Sequence, residues 1–230
     1  MKTILENSIF FGAIISLLAY ELGLILKKKF KMALFNPLLI AIICVMGVLT
    51  VFQIDYEQYE EGGKYISYLL TPATVCLAVP LYQQMSLLKK NIKAVLGGIV
   101  SGVAASLVSV WLLSKLFGLS HEQYVTLLPK SITTAIGMGV SEELGGIVTI
   151  TVAVIIITGV LGNIIAETVY KIFKIEEPIA KGLALGTSAH AVGTAKAMEL
   201  GEVEGAMSSL AIAVAGLITV IGASFFANLM

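Results

Sequence analysis

Residues 127–140 read LLPKSITTAIGMGV, from Leu127 to Val140. The stretch is apolar, yet its 14 residues fall short of the roughly 20 that one helix needs to cross a bilayer. Pro129 removes a backbone donor, and Lys130 puts a charge where hydrocarbon is expected. The segment therefore reads as a broken or re-entrant membrane element. Lys130 and Thr134 are four apart, and Ser131 and Thr134 are three apart, so their polar groups converge.

Two other segments share this character. Residues 65–82 (YISYLLTPATVCLAVPLY) carry Pro72 and Pro80, and Thr71 and Thr74 sit three apart on one helix face. Residues 179–200 (IAKGLALGTSAHAVGTAKAMEL) are weakly apolar and rich in small residues. There Thr187, His190 and Thr194 are spaced three and four, one polar stripe, with Ser188 beside it.

Five unbroken apolar runs surround these segments: residues 4–26, 34–54, 94–117, 147–170 and 207–229. The first is followed by KKKFK at 27–31, after the apolar run rather than before it, so it reads as an uncleaved span. The second is headed by Asn36-Pro37, with Pro in the first helical turn. The stretch 55–64 (DYEQYEEGGK) reads as a polar, acidic loop, and Ser120 to Tyr124 as a polar link.

The composition agrees. Of 230 residues, 57% are hydrophobic and 13% charged, and the mean hydropathy is +0.95. A soluble domain is roughly 45–50% apolar and about 25% charged. Disordered, disulfide-stapled and basic nucleic-acid-binding classes are excluded. All 15 basic residues are Lys, and Asp55 is the one Asp among 15 acids. The expectation is an all-α polytopic membrane protein of about eight membrane segments, some broken or re-entrant. It is a single transmembrane domain, 1–230, with two structural repeats in halves 1–117 and 118–230. A half-length shift lays residues 71–82 on 186–197, although evenly spaced spans would also align by chance.

Backbone freed from helical bonding cannot face lipid, so the broken segments mark the candidate site. Without Arg, no bidentate clamp on a carboxylate is available, and Lys130 becomes the counter-charge for a small carboxylate substrate. Ser131, Thr134, Thr71, Thr74, Thr187, Ser188 and Thr194 supply hydroxyls, and Asn36 joins them as a candidate. His190 could bond substrate or shuttle a proton. Glu6, Glu21, Glu167 and Glu204 are candidates for a coupling proton, with end-of-span solvation the plainer reading of Glu6 and Glu167. The plainer alternatives elsewhere are a proline kink at Thr71–Thr74, a snorkelling Lys130 and an interhelical hydrogen bond at His190. No enzyme signature is present, and no cofactor or metal is expected.

At these same stretches the sequence resembles the LrgB/CidB family. The matching runs are Asn36 to Ile40, Leu70 to Val75 with Ala78 to Tyr82, Pro129 to Thr134, Gly186 to Ala197, and Glu204 to Leu210. Ala135 departs from the pattern, which often has Pro after the paired threonines. The resemblance implies a multi-pass protein of the bacterial inner membrane, an antiholin-like or holin-like modulator of murein hydrolases and autolysis. It also implies a smaller LrgA/CidA-like membrane partner. Related bacterial systems are linked to pyruvate uptake, and a similar plastid protein to glycolate/glycerate exchange. Two readings follow: a carrier of small 2-oxo or 2-hydroxy monocarboxylates, with a proton or sodium as coupling ion, or a lysis modulator. A homo-oligomer fits either.

Overall fold

The computed structural model describes residues 10–30, 35–76 and 78–230, without the side chains of residues 70, 71, 74, 80 and 81. All regular structure among the described residues is helical. The chain forms two compact units, Met1–Cys76 and Leu77–Met230, a division that does not coincide with the halves 1–117 and 118–230.

The first unit holds α1 (Phe11–Phe30), α2 (Pro37–Phe52), α3 (Tyr56–Ser67) and α4 (Leu70–Cys76). Asn36 caps α2: its side-chain oxygen accepts from the backbone N–H groups of Leu38 (2.9 Å) and Leu39 (3.2 Å), with Pro37 at the first helical position. Small residues let α1 and α2 approach closely. A Cβ on Gly23 would lie 2.7 Å from the Pro37 backbone.

The stretch 55–64 is not a loop. It opens α3, with Glu57 in the first turn and Lys64 in the last, each matched to the helix dipole. The Tyr59 hydroxyl meets Ser16 Oγ on α1 at 2.8 Å, and Gly12 gives the Tyr59 backbone room. Further on, Pro72 stands third in α4 and Pro80 third in the next helix, where first-turn N–H groups have no helical partner to lose. Each proline thus stands in the first turn of a short helix, where it costs no helical bond.

The second unit begins with α5 (Ala78–Gln83) and α6 (Met85–Lys90). Then follow α7 (Ile92–Phe117), α8 (His121–Leu127), α9 (Thr134–Glu143), α10 (Val148–Ile172), α11 (Pro178–Leu200) and α12 (Glu202–Ala227). Three of these, α7, α10 and α12, are long and apolar enough to cross a membrane. At about 1.5 Å per residue they reach roughly 38 Å, more than the roughly 30 Å of hydrocarbon.

Helix α11 is not one rod. His190 has φ 42° and ψ −133°, and the chain folds back there. A Cβ on Gly193 would lie 2.5 Å from the Leu185 carbonyl, whereas a straight helix holds those residues about 12 Å apart. Ser208 on α12 meets both arms: its hydroxyl is 2.7 Å from Thr194 Oγ1, and its backbone lies against Gly186. Residues 178–189 thus climb and 191–200 return, a re-entrant hairpin with His190 at its tip.

Helices α8 and α9 make a second hairpin, with residues 128–133 as its non-helical tip. Thr151 Oγ1 lies 2.9 Å from the Thr126 carbonyl and 2.7 Å from Ser141 Oγ, tying the last turn of α8 to the last turn of α9. Residues 120–124, read as a link, start this hairpin. Gln123 N–H donates to Ser120 Oγ, and Ser120 N–H to Gln123 Oε1.

The two hairpins enter from opposite ends of the long helices. The base of the α11 hairpin sits by the end of α10 (Tyr170 hydroxyl to Lys181 carbonyl, 2.8 Å) and the start of α12, where Gly182 abuts Glu204. The α8–α9 base sits by the end of α12 (Tyr124 hydroxyl to Phe226 carbonyl, 2.9 Å) and just before α10, where Ile147 N–H donates to Thr126 Oγ1. Their tips stop halfway. The His190 ring packs on Gly159, near the middle of α10, and Ser131 meets Ser106, near the middle of α7.

Filling the hairpin seam should therefore be costly. Gly193→Val should lower stability by about 2 kcal/mol or more, because the new side chain meets backbone that cannot move aside. Gly97→Ala, with nothing within 4 Å of the added Cβ, should leave thermal unfolding of the detergent-solubilised protein unchanged or slightly improved. Equal melting temperatures for the two variants would contradict the folded-back arrangement.

Candidate functional site

A cavity of about 960 Å³ lies between α7 and α11, with the tip of the α8–α9 hairpin in its wall. Its α7 side is one face of small residues: Gly98, Gly102, Ala105, Ser106 and Ser109. The α11 side carries Leu183, Ala184, Thr187 and Ser188. Close approach depends on the glycines. A Cβ on Gly98 would lie 2.9 Å from Leu183 Cδ1, and one on Gly102 2.7 Å from Thr187 Oγ1. The register rises together, so α7 and the first arm of α11 run parallel.

Lys130 and Ser131 enter this cavity because the chain leaves helical geometry after Leu127 and resumes it at Thr134. Lys130 Nζ donates to Ser131 Oγ at 2.9 Å, and Ser106 Oγ donates to the same oxygen at 3.0 Å. With both lone pairs of Ser131 engaged, its own O–H is free to donate to a bound group. Lys130 is half-buried and forms no ion pair among the described residues. An ammonium in such a place favours an anion beside it. Glu177 also lines the cavity, at the far end with Asn91, at the starts of α11 and α7.

Thr187 and Ser188 face the same space. Their hydroxyls donate back to the Leu183 carbonyl (2.8 Å) and the Ala184 carbonyl (2.6 Å), which leaves oxygen lone pairs for the cavity. Thr134, the first residue of α9, is half-buried and not among the cavity-lining residues.

The stripe of Thr187, His190 and Thr194 does not survive the break. Thr187 faces α7, while the His190 ring nitrogen Nε2 lies 2.9 Å from the Ile155 carbonyl on α10. A carbonyl only accepts, so Nε2 carries the proton there. Thr194 Oγ1 lies 3.1 Å from the His190 carbonyl and 2.7 Å from Ser208 Oγ on α12. Asn163 Nδ2 reaches the Val192 carbonyl at 3.2 Å. The positive φ at His190 turns the three side chains toward three different helices. His190 and Thr194 hold the tip in place and do not line the cavity.

Asn36 belongs to the first unit, where it caps α2. The side chains of Thr71 and Thr74 lie outside the described residues. Two polar residues were not singled out from the sequence. Ser106, hidden in a run of small residues, bridges α7 to the Lys130 tip. Lys196, whose side chain is only 14% exposed, pairs with Glu167 at 2.6 Å and Glu199 at 3.3 Å. Glu167, read as a solvated span end, is thus tied to the second arm of the α11 hairpin.

Comparison with known proteins places the chain. The profile of the LrgB-like family matches residues 16–229. The Antiholin-like protein LrgB of Bacillus mycoides (strain KBAB4) is 42% identical over 213 residues, covering 92% of this chain and 93% of the relative. The proteins of the same name from Bacillus cereus (strain B4264) and Bacillus anthracis (strain CDC 684 / NRRL 3495) match to the same extent. No solved structure matches. A match over nearly the whole length, carried by three long apolar helices, makes this a membrane protein that belongs to the LrgB-like family.

Proposed function

We propose that the chain is a carrier of small 2-oxo or 2-hydroxy monocarboxylates, of pyruvate, glycolate or glycerate type, in the bacterial inner membrane. The observation that carries this reading is an ion-unpaired ammonium, Lys130, at a hairpin tip halfway along α7, in a cavity walled by hydroxyls. One cation suits one carboxylate. The Ser131 O–H and the Thr187 and Ser188 oxygens suit the neighbouring oxo or hydroxy group of the substrate. Lys196 does not compete for it, being engaged by Glu167.

Two hairpins that enter from opposite ends support a carrier of inverted-repeat type working by alternating access. The helices of the first unit complete about eight membrane segments, and a proton or sodium serves as coupling ion. Lysines orient the second unit. Lys89, Lys90, Lys93, Lys171, Lys174 and Lys181 cluster at the end where the α11 hairpin enters, against Lys115 alone at the other end. The positive-inside rule makes the lysine-rich end cytoplasmic.

The second reading is favoured by the relatives' name. As an antiholin-like protein, the chain would modulate murein hydrolases and autolysis together with an LrgA/CidA-like membrane partner. That name speaks for lysis control, and the cavity for transport. The two join if carboxylate flux is the signal that lysis control senses.

Uptake of radiolabelled pyruvate and glycolate into proteoliposomes, with and without the partner, separates them. Saturable uptake is expected, whereas dye leakage without it would favour a pore or a purely regulatory role. Lys130→Ala should reduce uptake at least about a hundredfold while membrane insertion is kept, the loss expected for a charged contact in a desolvated site. Wild-type rates would remove the site. Ser106→Ala should raise KM roughly fivefold with little change in kcat, since it frees Ser131 from one partner. An unchanged KM would remove Ser106 from the binding site.

A further inference from the structure

The turn between α10 and α11 closes a second concavity, of about 480 Å³. Lys171, Lys174 and Lys181 line it, together with Glu167 and Glu176. Glu167 is held by Lys196 at 2.6 Å, which leaves Glu176 against three ammonium groups. None of the three lysines forms an ion pair among the described residues. Tyr170 also lines the concavity, but its hydroxyl donates to the Lys181 carbonyl at 2.8 Å. The donors offered to a ligand are therefore the ammoniums.

Depth fixes what that ligand can be. Lys171 stands 11 residues past residue 160, the midpoint of α10, hence about 16 Å along the axis. With the middle of α10 at the bilayer midplane, half of the hydrocarbon thickness is about 15 Å, which puts Lys171 at headgroup level. Between Lys171 and Lys174, Ile172 and Phe173 are 68% and 72% exposed. Apolar side chains left bare at that depth, flanked by ammoniums, match the boundary between acyl chains and phosphates. Lys174 takes a left-handed conformation (φ 53°), which closes α10 through the Ile175 N–H to Tyr170 carbonyl bond at 2.8 Å and sets the turn.

We propose that this concavity binds the phosphate of an anionic phospholipid in the lysine-rich leaflet. The lipid phosphodiester lies among Lys171, Lys174 and Lys181, and its acyl chains turn toward the hydrocarbon. The site is separate from the Lys130 cavity and stands whether or not the chain carries carboxylates.

Thermal unfolding of the purified full chain in detergent, titrated with phosphatidylglycerol, phosphatidylcholine or inorganic phosphate, tests it. Phosphatidylglycerol should raise the melting temperature saturably. Replacing Lys171, Lys174 and Lys181 by Gln should raise the half-saturating lipid concentration on the order of a hundredfold. The same change at Lys89, Lys90 and Lys93 should leave it within about twofold. Should the triple variant not fold, Lys174→Gln alone should still shift it on the order of fivefold, and Lys174→Arg should restore it. An unshifted titration in the Gln variants, or equal protection by phosphatidylcholine, would overturn the site. Equal protection by inorganic phosphate would overturn the lipid assignment.

Discussion

A backbone N–H or C=O left without a partner in hydrocarbon costs several kcal/mol, because no water can stand in for the missing bond. Interrupted helices are therefore tolerated in a membrane only where side chains, other backbone or a polar cavity take over. The two hairpin tips of the second unit meet this demand. At the α11 tip, Asn163 reaches the Val192 carbonyl and Thr194 the His190 carbonyl. At the α8–α9 tip, Lys130 N–H bonds the Leu127 carbonyl and Ile132 N–H the Pro129 carbonyl, short turns that replace the lost helical rungs. What is left over faces the cavity, which makes its wall polar. The same constraint that permits the breaks thus creates the place where a solute could sit.

Close packing does the rest. Without hydrophobic exclusion between helices in lipid, contact depends on shape, and glycines supply it. Gly182 and Gly186 let the rising arm of α11 rest on the backbone of α12, and Gly193 lets the returning arm rest on the rising one. Gly98 and Gly102 open the facing side of α7 for Leu183 and Thr187. A hairpin of two short arms can be this thin only because so many positions lack a side chain. The Lys196–Glu167 pair then ties its outer arm to α10.

Much of this was legible in the sequence, and what was not has identifiable causes. Length and proline marked the 127–140 element as broken, and Lys130 as the charge to explain. The break in α11 has no proline. It falls on His190 rather than on one of the neighbouring glycines, because the Ile155 carbonyl and the gap at Gly159 hold the ring there. Spacing of three and four then predicted one stripe for Thr187, His190 and Thr194, a rule valid only within an unbroken helix. The polarity of residues 55–64 and 120–124 marks loops in the sequence, and only the fold shows that they open α3 and α8. Nothing in the sequence marks Lys196, because its partner, Glu167, lies 29 residues away.

The central claim is that α11 doubles back at mid-depth. Nitroxide labels on cysteines replacing Ala180 and Glu199, both exposed, measure this directly by electron–electron dipolar spectroscopy in nanodiscs. The folded-back hairpin puts both positions near its base and predicts a separation below about 20 Å. A continuous helix would space them by 19 residues, about 29 Å along the axis, and a distribution centred there or beyond would contradict the account.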